Sequence, residues 1–174
     1  HLGHQKIIQT AQQTARDLGT KTVALTFDPH PMKVLLPERG VKLLSTFNEK
    51  TRLLKKYGVD HVLKIPFTKG FAKNAPEEFT RNVLHEALHA KAVIVGHGYT
   101  FGKARKGNTE FLRRQGVKLG YKTTVVRSRR LFGSIISSSR IRSLIGWGRV
   151  CEASSLLGRP FELKGSVIHG KGIG

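Results

Sequence analysis

Residues 91–127 read KAVIVGHGYTFGKARKGNTEFLRRQGVKLGYKTTVVR. They contain two short apolar runs, Lys91–Val95 and Thr123–Arg127, on either side of a segment with helical spacing, Thr109–Leu119. Two strands that are joined through a helix in one sheet run parallel to each other. The stretch therefore predicts a β-α-β unit and an α/β fold.

The same alternation continues on both sides of this unit. The spacing predicts helices over His4–Leu18, Phe47–Tyr57, Pro76–Leu88, Ser138–Ile145 and Val150–Leu157, strands over Thr22–Phe27 and His61–Phe67, and a strand-like tail over Phe161–His169. We therefore expect an α/β domain with a mostly parallel sheet. In such sheets, ligands bind beyond the carboxyl ends of the strands.

The charge of the chain points to a phosphate-bearing ligand. The 174 residues carry a net charge of +20, and residues 101–150 hold 13 Lys and Arg against one acid, Glu110. A nucleic-acid-binding module is the rival interpretation, but only 7% of the residues are aromatic and they are not interleaved with the basic cluster. No apolar run is long enough to span a membrane, and the single cysteine, Cys151, fits a reducing cytoplasm.

Four segments carry residues suited to phosphate or ring binding. His1-Leu2-Gly3-His4 begins a helix, where backbone N–H groups attract anions. Ile136–Arg142 combines consecutive hydroxyls with two guanidinium groups. Thr26–Pro31 is a proline-stiffened loop, and Gly96–Gly107 mixes glycines with aromatic and basic residues. Each segment taken alone also fits a surface helix start, a serine cap, a rigid turn or an exposed loop.

Taken in order, these segments resemble one family along the whole chain. His1–His4 is similar to the HxGH motif of the FAD synthetase module of bacterial bifunctional riboflavin kinase/FMN adenylyltransferases, and Thr26–Pro31 to its TFxPHP motif. Gly96–Gly107 resembles VGxDFxFGxxRxG, and Ile136–Arg142 resembles ISSTxIR. Leu156–Phe161 looks like the LLGRPY segment that leads into the kinase module.

The resemblance implies a Rossmann-like HxGH nucleotidyltransferase domain over residues 1–158, followed over residues 159–174 by the start of a β-barrel kinase module. The implied reaction transfers the adenylyl group of ATP to FMN, giving FAD and pyrophosphate, with help from Mg²⁺. The catalytic residues it implies are His1, His4 and Arg140. Binding residues are expected at Ser137 and Ser138 for the phosphates and, on the flavin side, at Pro29, Pro31, Phe101 and Arg105.

The chain also departs from the family pattern. It begins at the HxGH motif, so the strand that precedes this motif in the family is expected to be missing. Gly98 and Tyr99 stand where the family has Asp or Asn and Phe, and Ser139 replaces Thr. A sister enzyme acting on nicotinamide mononucleotide or phosphopantetheine is the alternative within the same chemistry. ATP and FMN are the expected partners. We expect no metal-binding residues, no membrane and no specific nucleic acid, a cytoplasmic location, and a homo-oligomer formed, if at all, through the full-length protein.

Overall fold

The computed structural model describes residues 1–163, 165–170 and 172 of the chain. Helices and strands alternate within them as predicted, and most ends fall within two residues of the predicted ones. The strands are β1 (Val23–Asp28), β2 (His61–Pro66), β3 (Ala92–Gly96), β4 (Lys122–Val126), β5 (Arg130–Leu131) and β6 (Ser134–Ile135). The helices are α1 (Leu2–Asp17), α2 (Pro31–Leu35), α3 (Phe47–Lys56), α4 (Pro76–Glu78), α5 (Thr109–Leu119), α6 (Ser138–Gly146) and α7 (Val150–Leu157).

One predicted helix has an unusual hydrogen-bonding pattern. Helix α4 continues directly into a π-helical segment, Phe79–Ala87. Together they cover the predicted helix Pro76–Leu88. The Glu78 carboxylate accepts a hydrogen bond from the Ala75 N–H at 2.9 Å, which satisfies one of the free donors at the start of the helix.

The strands form two parallel pairs. β1 pairs with β2 from Val23–His61 to Asp28–Pro66, and β3 pairs with β4 from Ala92–Lys122 to Gly96–Val126. Parallel pairing is thus confirmed, but within the described residues the two pairs are not hydrogen-bonded to each other as one sheet. The physical reason is a cavity that separates β1 from β3 and is lined by consecutive residues of both strands.

Two apolar clusters form the core. The first joins the strand pairs to α5 and the π-helical segment, and its buried members are Ile65, Phe79, Leu84, Val95, Leu112 and Tyr121. The second lies between α6 and α7, and its buried members are Ile136, Ile141, Leu144, Ala153, Leu156 and Leu157. Leu2, in the first turn of α1, packs against this second cluster. The second cluster therefore fixes the start of α1 beside the start of α6.

The predicted strand over Phe161–His169 is wrong for the described part of that tail. Lys164 lies outside the described residues, and the other positions form no strand. Leu163, Val167 and Ile168 are at least 82% exposed. A strand needs the edge of a neighbouring strand for its hydrogen bonds, and no such partner contacts the described tail.

Gly116 provides a test of how tightly α5 packs. A Cβ at this position would lie 3.1 Å from two ring atoms of Tyr121 and still closer to the Tyr121 carbonyl oxygen. We expect Gly116→Ala to lower the free energy of unfolding by about 1–3 kcal/mol, because the backbone must move to relieve the overlap. Urea unfolding followed by circular dichroism measures this change.

Gly146 supplies the matched control, since it lies in α6 and a Cβ there would meet no atom within 4 Å. We expect Gly146→Ala to leave stability unchanged or to raise it by up to about 1 kcal/mol, because alanine favours helix over glycine. Equal stability of the two variants would contradict the packing described for α5.

Candidate functional site

A cavity of about 850 Å³ lies between β1, β3, α1 and α3. Its apolar part is bounded by the facing edges of β1 and β3 and by the side of α1. Its polar part lies where α1 and α6 begin and β1 ends, and its lining includes His1, His4, Thr26, Asp28, His30, Lys50, Ser138, Arg142 and Arg159. Three of the four segments that the sequence singled out thus meet at one end of the cavity.

The first turn of α1 holds its two histidines against each other. His1 caps the helix, and its Nδ1 accepts a hydrogen bond from the His4 backbone N–H at 3.2 Å. The two imidazole rings stack with centroids 3.9 Å apart. A Cβ at Gly3 would lie 3.1 Å from two atoms of the His1 ring. The glycine of the HxGH motif therefore leaves the room that the stacked rings occupy.

Electrostatics keep His4 uncharged. His4 is exposed and lines the cavity, and the neighbouring protein atoms displace part of the water around its ring. This loss of water lowers the pKa of His4 below its usual value, and the positive charge of Lys50 lowers it further. At neutral pH the imidazole is a neutral hydrogen-bonding group, so other side chains must supply the positive charge that a phosphate requires.

The Asp28–Pro31 loop brings a third histidine to the cavity. His30 caps α2, and its Nδ1 accepts a hydrogen bond from the Met32 N–H at 3.2 Å. Burial lowers the pKa of His30, as do the charges of Lys50, Arg142 and Lys33. The predicted flavin contacts Pro29 and Pro31 flank His30, with Pro29 exposed and Pro31 in the first turn of α2, and neither lines the cavity.

At the start of α6, some of the predicted residues stabilise the local structure and others line the cavity. Ser137 caps the helix, since its Oγ accepts from the Arg140 N–H at 3.2 Å, while Ser138 lines the cavity. The Arg140 Nη1 donates hydrogen bonds to the carbonyls of Leu131 and Ser134, so this guanidinium stabilises the β5–β6 hairpin. Arg140 is not part of the cavity lining. Arg142 lines the cavity, with its Nε bonded to the Lys42 carbonyl at 2.8 Å.

The Gly96–Gly107 loop turns its predicted ring-binding residue inward. Phe101 packs against Phe79 and Phe111, with ring centroids 5.3 and 5.9 Å away, and does not line the cavity. Arg105 is exposed and its Nε donates to Thr100 Oγ1 at 2.9 Å. Tyr99, in contrast, lines the cavity, and burial raises its pKa to about 12.

Sequence reasoning missed two cations of the polar end, Lys50 and Arg159. The signal for Lys50 was available, because it shares one face of α3 with apolar residues that also line the cavity: Phe47, Leu53, Leu54 and Tyr57. Arg159 follows a helix end and had no comparable signal. Its position beside His1 depends on Gly158, whose left-handed φ of 69° turns the chain back toward α1.

No helix within the described residues has both the length and the apolar character needed to cross a bilayer.

Comparison with known proteins shows which proteins this chain is similar to. A protein from Listeria monocytogenes named bifunctional riboflavin kinase/FMN adenylyltransferase is 39% identical over 171 residues, which cover 98% of this chain and 54% of that protein. A protein of the same name from Escherichia coli K12 is 30% identical over all of this chain and 56% of its own length. A crystal structure from Streptococcus pneumoniae, described as a macrolide-efflux protein, is 30% identical with a TM-score of 0.84 and covers 98% of this chain and 55% of that one.

The chain therefore spans about half the length of the curated relatives it matches. A family model described as FAD synthetase matches residues 1–140, a range that contains His1–His4, Thr26–Pro31, Gly96–Gly107 and the start of α6. The family model thus covers the same segments that converge on the cavity. The chain belongs to the FAD synthetase family.

Proposed function

We propose that this chain catalyses adenylyl transfer from ATP to FMN, forming FAD and pyrophosphate. The observation that carries the proposal is the convergence of His1, His4, Ser138 and Arg142 at the polar end of one cavity. An oxygen of the FMN phosphate attacks the α-phosphorus of ATP, and the bond from that phosphorus to the bridging oxygen of the β-phosphate breaks. The products are FAD and pyrophosphate, and no covalent protein intermediate is required.

In this proposal the protein positions two anionic substrates and stabilises the charge that moves to the leaving group. His1 and the neutral His4 donate hydrogen bonds to the phosphates. Ser138 and the N–H groups at the start of α6 bind the pyrophosphate portion. The Arg142 guanidinium supplies positive charge. Phe101 and Arg105 then act on the flavin side indirectly, through the shape of the Gly96–Gly107 loop, with Tyr99 as its cavity-facing ring.

Mg²⁺ fits the polar end as a companion of ATP. Among the described residues, no cluster of three His, Cys, Asp or Glu is arranged to hold a metal, so a substrate would have to supply most of the ligands. Asp28 is the carboxylate in the cavity lining, and Mg²⁺ is commonly held by one or two carboxylates together with phosphates. The bound ion would neutralise part of the phosphate charge. These substrates also favour the cytoplasmic location that the single cysteine predicts.

We further propose that residues 1–158 form the adenylyltransferase domain and that one more strand completes its sheet. β1 and β3 both turn an edge toward the apolar part of the cavity, and an unpaired strand edge leaves backbone donors and acceptors without partners. A strand from residues preceding His1 in the natural protein would pair with both edges and continue into α1. Residues 159–174 would then begin the next module.

The histidines provide the first test of the proposed function. In the full-length natural protein, we expect His1→Ala or His4→Ala to lower the rate of FAD formation roughly 10²–10³-fold, because a positioned donor to the reacting phosphates is lost. His85, an exposed histidine outside the cavity, supplies the control, and His85→Ala should keep the full rate. Near-normal rates in both active-site variants would contradict the assignment.

The two arginines of α6 provide a second test. We expect Arg142→Met to lower kcat/KM for ATP roughly ten- to a hundredfold, the effect of losing one charge-assisted hydrogen bond. Arg140→Met should act mainly on stability, because it frees the β5–β6 hairpin. Steady-state kinetics and thermal unfolding on both variants separate the effects. A larger kinetic loss in Arg140→Met than in Arg142→Met would favour Arg140 as the catalytic arginine.

The extra strand is tested by comparing two chains. Adding ten to twenty upstream residues of the natural protein to residues 1–174 should raise both the midpoint of thermal unfolding and the amount of FAD formed per minute. Each buried backbone group left unpaired costs about 1–3 kcal/mol, so completing the sheet stabilises the site. Equal, substantial activity of both chains would contradict the proposed strand.

A further inference from the structure

A lysine lies on the face of α3 that is turned toward the cavity. The other residues of that face are Phe47, Leu53, Leu54 and Tyr57, which are apolar or aromatic. The remaining lysines near the end of α3, Lys55 and Lys56, are exposed, as a solvated helix face requires. Lys50 is half-buried, so it does not belong to the solvated face of the helix.

The contacts of Lys50 leave most of its hydrogen-bonding capacity unused. Its Nζ donates to Thr26 Oγ1 at 3.0 Å, and the Thr26 side chain belongs to a residue that is only 7% exposed. An ammonium group has three donors, and a threonine hydroxyl satisfies one of them without supplying charge. Within the described part of the chain, no carboxylate forms an ion pair with Lys50.

Asp28, the acid whose charge acts on Lys50, already forms an ion pair with another lysine. The Asp28 carboxylate pairs with Lys64, with 2.9 Å between Oδ2 and Nζ. The groups that face Lys50 besides Asp28 are His4 and His30, whose pKa values its charge lowers, and Arg142 lies close enough to His30 to act on it too. Burial lowers the pKa of Lys50 itself, partly offset by Asp28. Charged groups held together without an equal number of anions are costly when removed from water, and an anion in the cavity would relieve that cost.

We propose that Lys50 is a phosphate-binding residue of this cavity. One or two of its three donors bind non-bridging phosphate oxygens of a substrate, while the donor bound to Thr26 holds the ammonium group in place. The inference rests on the proposed function and adds a residue to it. FMN and ATP both carry the required chemistry, and the arms of the experiment distinguish the FMN phosphate from the ATP triphosphate.

The experiment uses the full-length natural protein and four variants. Lys50→Met removes the charge, Lys50→Gln removes the charge but keeps a donor for Thr26, Lys50→Arg keeps the charge, and Lys56→Met removes an exposed lysine from the same helix as the matched control. The KM values for FMN and ATP are measured by FAD formation. Inhibition constants are measured for lumiflavin and adenosine, which carry the rings without phosphate, and thermal unfolding verifies that each variant is folded.

We expect Lys50→Met and Lys50→Gln to raise KM for one phosphate-bearing substrate roughly ten- to a hundredfold, the effect of one lost charge-assisted hydrogen bond. The inhibition constants of lumiflavin and adenosine should change less than about twofold. Lys50→Arg should restore most of the affinity, and Lys56→Met should match the wild type. An effect on FMN alone assigns Lys50 to the FMN phosphate, and an effect on ATP alone assigns it to the triphosphate.

Three outcomes would overturn the proposal. Unchanged KM values in folded Lys50→Met and Lys50→Gln would show that Lys50 binds no phosphate. An equal loss for the phosphate-free inhibitors would show a structural role for Lys50. Loss of folding in both neutral variants while Lys50→Arg remains folded would also assign Lys50 to the fold. If the wild type forms no FAD from FMN and ATP, the proposed function itself fails, and that result does not depend on any variant.

Discussion

The packing of Leu2 against the α6–α7 cluster is the contact on which the candidate site depends. Leu2 lies between the two histidines of the HxGH motif in the sequence. Because its side chain packs against the α6–α7 cluster, the two histidines lie on a different side of the helix start. A Cβ at Gly158 would lie 2.7 Å from Leu2 Cδ2, so only glycine fits where the chain leaves α7. Gln5 adds a hydrogen bond of 2.8 Å from its Nε2 to the Leu157 carbonyl. These contacts join the start of α1 to the end of α7 and to the cluster between α6 and α7. Gln5 and Leu157 also line the cavity, so the same contacts shape its wall.

The polar end of the cavity separates hydrogen bonding from charge. His4 is neutral near pH 7 because loss of water around its ring and the positive charge of Lys50 oppose its protonation. Positive charge comes from other residues of the lining: Lys50 acts on both His4 and His30, and Arg142 acts on His30. The arrangement suits a ligand with several phosphate oxygens, because such a ligand needs both neutral donors with fixed direction and nearby positive charge. The net charge of +20 extends the same attraction over the surface.

The polar end of the cavity lies beyond the carboxyl ends of the parallel strands, where open α/β sheets bind their ligands. The carboxyl ends of β1 and β3 lead directly into the Asp28–Pro31 and Gly96–Gly107 loops. The apolar part of the cavity lies along the strand edges rather than beyond their ends. The polar part is thus the region suited to chemistry, and the apolar part is the region suited to a further strand.

The sequence by itself determined the order of the longer helices and of the four parallel strands, the parallel pairing and the four segments of the site, because periodicity and glycine or proline positions are local properties. Helix α2 and the β5–β6 hairpin were not predicted, since each is only two to five residues long. Only the tertiary structure decided which residues of those segments face the cavity. Arg140 and Arg142 are two positions apart on α6, about 200° around the helix, so at most one can face a given side, and the docking of α6 selects Arg142. Phe101 turns inward because Phe79 and Phe111, distant in sequence, offer it an apolar surface. Lys50 joins the site because α3 packs against β2 and this places its ammonium group beside Thr26 of β1, 24 residues away, a contact that no local pattern specifies.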